Sequence, residues 1–359
     1  MRVVQVYKDV HPFVRGGIER YIHDLSAFLA RRGHQVTVLV AGRGEGQRSV
    51  SGFRVVGYPC IARVLSNPVS PGLGRILDSM EADAVQFHVP LPSAVMARLL
   101  SVSRTPYIVT YHSDIVRQAF LMPLYGPFLR RFLRGAERVL ATSPVYRDTS
   151  PYLSGLSNTE VVPIGTDTSV FTPAVGGTEG NYALFVGRFR SYKGIEVLLQ
   201  AWREFPDRRL VMAGGGPLEG LVSRAVRRDG LNIAVERDPD DGRLLELYRN
   251  AGFLVLPSTK RSEAFGMVQT EAMACGVPVI STALPTGVPW VNMHGVSGLV
   301  VPPGDPRALA EAVREMSDPA VRRRLSEGAL SRARKEFDSG DLFLRVEEIL
   351  LEAVDAGEG

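Results

Sequence analysis

The stretch Ser262-Glu263-Ala264-Phe265-Gly266-Met267-Val268-Gln269-Thr270-Glu271-Ala272-Met273-Ala274-Cys275-Gly276-Val277-Pro278-Val279-Ile280 decides the reading of this chain. Two carboxylates, Glu263 and Glu271, stand eight positions apart around a Phe-Gly step. An apolar helical run follows, and a Gly-Val-Pro turn then leads into a β-type segment. Glu271 falls about one and a half turns after Gly266, at ~3.6 residues per turn. The backbone N–H groups of Gly266, Met267 and Val268 would be the donors left over at that helix start, a place that binds anions. An anion cradle between two hydroxyl-accepting carboxylates suits a sugar joined to a nucleoside diphosphate. Taken alone, the same residues also fit a surface loop that enters a core helix and carries two solvated glutamates.

Working outward, short apolar runs alternate with helical patterns along all 359 residues, too many for one ordinary core. This alternation predicts parallel sheets covered by helices. Strands are expected at 2–7, 35–41, 52–58, 84–88, 106–112, 137–142 and 159–163, then at 182–187, 208–213, 231–236, 252–256, 277–281 and 298–301. Helices are expected at 17–32 and 92–101, and in the second half at 193–203, 217–228, 240–250, 266–275 and 306–316. The run from Pro163 to Pro173 breaks both periods and reads as a linker. The expected organisation is one α/β domain over 1–170 and a second over 171–339, with a last helix at about 340–359 docking back on the first. Sheets of this kind bind ligands in a crevice at the carboxyl ends of their strands.

Those strand ends carry the candidate residues. Gly16 and Gly17 open a helix after the first strand and would let main-chain N–H groups face a phosphate or a sugar. Gly187 and Arg188 end the strand at 182–187, and Lys193 begins the next helix. Arg offers a phosphate a bidentate fork and Lys a point charge. Gly214 and Gly215, in a Gly-rich strand-to-helix turn, serve either ligand approach or tight packing. His112 ends the strand at 106–112, as a sugar-hydroxyl ligand or a structural histidine. Asp114 just beyond is either an acceptor-side carboxylate or a helix cap.

Composition narrows the classes. Hydrophobic residues make up 45% and charged residues 22%, and no apolar stretch reaches a membrane-spanning length. Met1–Tyr7 reads as a short strand, stopped by Lys8 and Asp9, rather than as a leader. Cys60 and Cys275 are the only cysteines. They read as free buried thiols in a reducing cytoplasm and supply no metal set. Residues 1–170 hold 19 Lys/Arg against 12 Asp/Glu, and the remainder 23 against 26. The basic half calls for an anionic partner. No nucleic-acid motif accompanies it. The segment 116–138 mixes Phe120, Leu121, Leu124 and Phe128 with Arg117, Arg130, Arg131 and Arg134. It fits an anionic membrane surface or a core helix with a solvated basic face, and Pro123 and Pro127 are expected to split it.

Together these residues resemble the retaining glycosyltransferases of family 4, which have the GT-B architecture. The resemblance covers nearly the whole chain. It rests on Gly16-Gly17 with Glu19, His112, Pro163 to Asp167, Gly187-Arg188 with Lys193-Gly194, Gly214 to Pro217, Glu263 to Val279, and Asn292 to Asp305. It implies two Rossmann-like domains facing across a cleft, and transfer of a hexose from a UDP- or GDP-sugar to a sugar or lipid-linked sugar. Arg188 and Lys193 would hold the donor diphosphate. Glu263, Phe265 and Gly266 would hold the sugar, Glu271 the ribose diol, and His112 would sit near the reacting carbon. Gly16 and Gly17 would approach diphosphate and sugar from the first domain, with Asp114 and Arg117 on the acceptor side. Neither metal nor cofactor is expected, and the setting implied is the cytoplasm or the inner face of the plasma membrane, in envelope polysaccharide or glycolipid synthesis. One departure is Glu236-Arg237-Asp238-Pro239, where the family often has an aromatic-Gly pair near the base. Two other readings stand beside this one: a nucleotide-sugar epimerase of the same fold, and a non-catalytic nucleotide-sugar-binding scaffold. A dehydrogenase is disfavoured, since no strand leads into Gly-x-Gly-x-x-Gly.

Overall fold

The computed structural model describes the chain apart from residues 43–46, 65–66, 117–118, 176–179, 181 and 359. It divides into two compact units, Met1–Pro163 with Gly340–Gly359, and Ile164–Ser339.

In the first unit the strands are β1 (Arg2–Val6), β2 (Gln35–Ala41), β3 (Gln47–Val50), β4 (Phe53–Tyr58), β5 (Ala62–Val64), β6 (Asn67–Val69), β7 (Ala84–Val89), β8 (Tyr107–Tyr111), β9 (Arg138–Ala141) and β10 (Thr159–Val161). Among the described residues, eight of them form one sheet in the order β10-β9-β8-β7-β1-β2-β4-β3. All pairings are parallel except that of β3 with β4. The helices are α1 (Gly17–Arg31), α2 (Leu73–Ser79), α3 (Pro92–Leu100), α4 (Met122–Arg134) and α5 (Pro144–Thr149), and the terminal helix Ser339–Glu358 packs here too. Its Phe343 meets Tyr21 and Phe28 of α1, and its Glu347 takes both Arg32 and His34. The chain runs β1, β2, β4 to one side, then returns to place β7 on the other flank of β1. The strand order therefore reverses between β1 and β7.

The second unit repeats the plan with β11 (Tyr182–Val186), β12 (Leu210–Ala213), β13 (Ile233–Glu236), β14 (Ala251–Leu256), β15 (Val279–Thr282) and β16 (Gly298–Val301). They are ordered β13-β12-β11-β14-β15-β16, all parallel. The helices are α6 (Ile195–Trp202), α7 (Glu219–Asp229), α8 (Asp241–Asn250), α9 (Met267–Ala274), α10 (Val288–Val291), α11 (Pro306–Glu315) and α12 (Pro319–Glu336). Phe185, Trp202, Leu210, Met212, Phe253, Val255 and Ile280 are buried in one core. Each such side chain contributes about 1.5–3 kcal/mol by leaving water. Here the order reverses between β11 and β14.

Strands with both faces covered read as unbroken apolar runs, which is why the alternation was visible in the sequence. Elements with weak apolar patterning were not. Helix α12 buries only Leu325, Ala329, Arg332 and Ala333, too thin a stripe to stand out among its arginines. The edge strand β3 gives no clear period either. Pro123 and Pro127 do not split the basic segment: α4 runs unbroken from Met122 to Arg134. Pro123 lies in the first turn, where no N–H is needed, and Pro127 gives up one hydrogen bond within a helix otherwise held by buried Leu129, Phe132 and Leu133. The residues read as a linker are tied down within the second unit, where Thr166 N–H donates to Phe337 O at 2.8 Å and Thr166 O accepts from Ser339 N at 3.0 Å.

Candidate active site

Two loops meet where the strand order of the second unit reverses. The loop after β11 carries Gly187, Arg188 and Lys193, and the loop after β14 carries Ser258 and Glu263. Lys193 Nζ lies 2.6 Å from Glu263 Oε2, and both side chains are only 10% exposed. Ser258 Oγ donates to the same Oε2 at 2.9 Å. Burial works against the Lys193 ammonium, but the Glu263 carboxylate more than offsets it and the pKa is raised. Lys193 is thus buried beside its counter-ion rather than solvated. Arg188, five residues earlier in the same loop, is exposed.

Glycine makes this approach of loops feasible. Gly194 has φ +72°, and a Cβ there would stand 1.9 Å from Pro257 O. At Gly214 a Cβ would meet Gly187 O at 2.3 Å, so this turn packs closely against the loop after β11. Gly215 carries its carbonyl to Phe189 N–H at 2.9 Å. Beyond the turn, Glu219 accepts from Gly216 N at 3.0 Å and from Arg237 Nε at 3.0 Å, while Arg243 holds Glu236 at 2.6 Å. The departure at Glu236–Pro239 is thus a set of ion pairs along the strand ends.

Helix α9 begins after Gly266, which is left-handed at φ +76°. Met267 and Val268 occupy its first turn, whose N–H groups have no acceptor inside the helix. Phe265 is buried with its ring 6.1 Å from that of Phe337, so its main chain is what it can present to a ligand. Glu271, on α9, accepts from Tyr248 Oη at 2.6 Å. Burial, then the Glu271 charge, push the Tyr248 hydroxyl well above its ordinary pKa, so it stays a donor.

In the first unit, Gly16 precedes α1 and a Cβ on it would meet Glu19 Oε2 at 2.2 Å, because Glu19 folds back over the helix start. Gly17 is the first residue of α1. His112 follows β8, is 3% exposed, and lies against a buried polar row of Gln5, Gln86, His88 and Thr110. Its Nε2 is 3.1 Å from His88 Nδ1, and its Nδ1 is buried with no hydrogen-bond partner among the described residues. Burial, then the Lys8 charge, push its pKa down to about 3, so the ring is neutral. Asp114 Oδ1 accepts from Tyr111 at 2.9 Å and Ser150 at 2.6 Å, and α4 starts after Leu121 with no side-chain cap. Arg117 lies outside the described residues. Cys275 is buried, with its thiol raised to about 12 by burial, while Cys60 is half-buried; both are free.

Ser258, Tyr248 and His88 were missed by sequence reasoning. A signal existed for His88: Gln86, His88, Thr110 and His112 are polar at a period of two inside otherwise apolar strands, so they share one face of the sheet. Ser258 and Tyr248 gave none.

The chain matches two family models, "Glycosyl transferase 4-like domain" over residues 16–166 and "Glycosyl transferases group 1" over 174–332. It therefore belongs to the group 1, family-4-type glycosyltransferases, which have the GT-B architecture. The O-antigen chain mannosyltransferase C of Escherichia coli is 36% identical over 335 residues, 88% of each chain. The D-rhamnosyltransferase WbpZ of Pseudomonas aeruginosa is 38% identical over 65% of this chain and 64% of its own length. Among solved structures, sucrose-phosphate synthase from Thermosynechococcus elongatus superposes with a TM-score of 0.82 over 99% of both chains at 22% identity. Anabaena Alr3699/HepE, solved in complex with UDP, gives 0.80 over 98% of this chain and 100% of its own at 19% identity. These last two bear on the fold.

Proposed function

We propose that this glycosyltransferase moves a hexose from a nucleoside-diphosphate sugar, UDP- or GDP-linked, to a sugar or lipid-linked sugar acceptor, with retention at the anomeric carbon and without a metal ion. The buried Lys193–Glu263 pair at the carboxyl ends of β11 and β14 carries the reading. It puts a phosphate-binding cation and a hydroxyl-accepting carboxylate at one point, which suits the junction between a sugar and its phosphate.

Lys193 and Arg188 hold the diphosphate and neutralise the charge that grows on it as it leaves, a task that positive groups fixed in place perform well. Glu263 accepts from sugar hydroxyls, and the main chain of Phe265, Gly266, Met267 and Val268 offers N–H donors beside it. Glu271, held by Tyr248, accepts from the ribose. Gly187, Gly214 and Gly215 keep the backbone close to the nucleotide, and Gly16, Gly17 and His112 act on diphosphate and sugar. The bond from the anomeric carbon to the phosphate oxygen breaks, and a bond to the acceptor oxygen forms on the same face. The acceptor proton passes to the departing phosphate, and no protein nucleophile is assigned.

The activities of the relatives, O-antigen mannosyl transfer and D-rhamnosyl transfer, support a role in cell-envelope polysaccharide or glycolipid synthesis. The acceptor is held at the inner face of the plasma membrane. Supporting this, Phe120 and Leu124 are 73% and 77% exposed, with Leu121 and Phe128 also out, beside exposed Arg130, Arg131 and Arg134. Apolar side chains among arginines suit an anionic lipid surface. Asp114 and Arg117 belong to the acceptor side in this reading. No described helix is long and apolar enough to cross a membrane.

Thermal shift with UDP, GDP, ADP, CMP and dTDP, on wild type and Glu271→Ala, tests the donor site. One nucleotide should stabilise the wild type and not the variant; no response to any of them defeats the reading. Proton NMR of the product gives the anomeric outcome. Flotation with anionic vesicles at low salt tests the membrane arm, and failure to co-float defeats it.

A further inference from the structure

The buried polar row of the first unit determines which nitrogen of His112 carries the proton. Gln5 of β1 stands opposite Gln86 of β7 in register, and His88 of β7 stands opposite Thr110 of β8. Gln5 Nε2 donates to Gln86 Oε1 at 2.9 Å, and Gln86 Nε2 donates to Thr110 Oγ1 at 2.7 Å. The amide of Gln5 is thereby oriented with its oxygen toward His88, and Gln5 Oε1 lies 2.5 Å from His88 Nε2. An amide oxygen only accepts, so His88 Nε2 bears the hydrogen. Burial, then the His112 ring, hold the His88 pKa well below its ordinary value, so His88 is neutral and its Nδ1 is bare. That bare nitrogen, 3.1 Å from His112 Nε2, can only accept, so His112 bears its hydrogen on Nε2. Neutral His112 then has a lone pair on Nδ1, the buried atom that no group among the described residues satisfies. Tyr7 and Tyr21 pack edge-on or tilted against both rings, and the imidazoles stack at 5.3 Å, so neither ring turns over freely.

We propose that His88 is a positioning residue which, with Gln5 and Gln86, locks His112 in the Nε2–H form so that its Nδ1 accepts a hydrogen bond from a hydroxyl of the transferred sugar. This rests on the placement of His112 at the donor sugar. It also goes further, because a bare Nδ1 cannot donate and is therefore no ligand for a phosphate oxygen, which only accepts. The relay fixes the chemistry of the partner as a hydrogen-bond donor. A buried acceptor without a donor is costly, which gives the sugar hydroxyl a site built for it.

The test is long-range proton–nitrogen NMR on the full chain labelled at its six histidines, with His88→Phe and His112→Ala assigning the signals. Wild-type His112 should show a bare Nδ1 and a protonated Nε2, a result that needs no variant to fold. His88→Phe keeps an aromatic ring between the tyrosines but removes the acceptor. It should release the His112 tautomer and lower kcat at least tenfold, with nucleotide Kd within twofold. A wild-type His112 protonated on Nδ1 overturns the relay whatever the activity. An unchanged tautomer in His88→Phe overturns it too. Wild-type turnover in His112→Ala instead overturns the placement of His112 at the sugar, leaving the spectroscopic result to stand by itself.

Discussion

Tyr248, on α8, directs its hydroxyl to Glu271 Oε2 on α9 at 2.6 Å, although the two residues are on different helices and Tyr248 is fully buried. The phenol orients a carboxylate that would otherwise swing on a flexible side chain. Hydrogen bonds to charged groups are worth about 1.5–3 kcal/mol. Tyr248→Phe should therefore lower the thermal unfolding midpoint of the free protein, where the bond already exists, and weaken nucleotide binding by about tenfold or more in calorimetry. An unchanged Kd would mean that Glu271 does not meet the ribose.

Lys193 and Glu263 test each other. Removing one partner of a buried ion pair strands the other and costs about 3–5 kcal/mol. Lys193→Met and Glu263→Gln should each lower the unfolding midpoint clearly, and the double variant should recover much of that loss. All three should stay inactive in transfer assays. A double variant no more stable than either single one would show that the pair is not coupled.

Arg188 is exposed, so its replacement should leave folding intact. Arg188→Ala is expected to reduce turnover by far more than threefold, a factor corresponding to about 0.65 kcal/mol. Turnover within that factor would remove Arg188 from the diphosphate.

The neutral histidines predict acid sensitivity. His112 is depressed to about 3 and His88 lies well below 6.5, whereas both titrate near 6.5 when unfolded. Below pH 6.5 the unfolded chain thus binds protons that the folded chain refuses, and stability falls as pH falls. Each histidine contributes up to about 1.4 kcal/mol per pH unit in that window. Denaturant titrations between pH 7.5 and 5 should show the loss, smaller in His88→Phe. The pH profile of kcat should carry no inflection from His112 near 6.5.

Much of the fold was legible because buried parallel strands and their covering helices leave strong periodic signals. Every strand read from the apolar runs corresponds to a strand in the sheets, while the thinly striped α12 and the edge strand β3 went unread. The segment from Glu263 to Ile280 showed its turn, helix and strand directly, since local rules govern each: a Gly before the helix, small and apolar residues along it, and Gly-Val-Pro after it. Pro127 misled, because a proline's local cost was outweighed by the packing of Leu129, Phe132 and Leu133.

The sequence by itself determined the class of architecture and nominated the chemistry-bearing residues, because periodicity and motif spacing are local properties. Only the tertiary structure decided which of those residues meet. Strand order follows from non-local pairing, and main-chain hydrogen bonds between parallel strands are nearly blind to residue identity. Nothing in residues 182–193 and 251–263 read separately says that β14 lies beside β11, yet that adjacency brings Lys193 to Glu263. The same holds for β1, β7 and β8, whose register aligns Gln5, Gln86, His88 and His112 into a chain of hydrogen bonds and so decides the protonation of a single nitrogen.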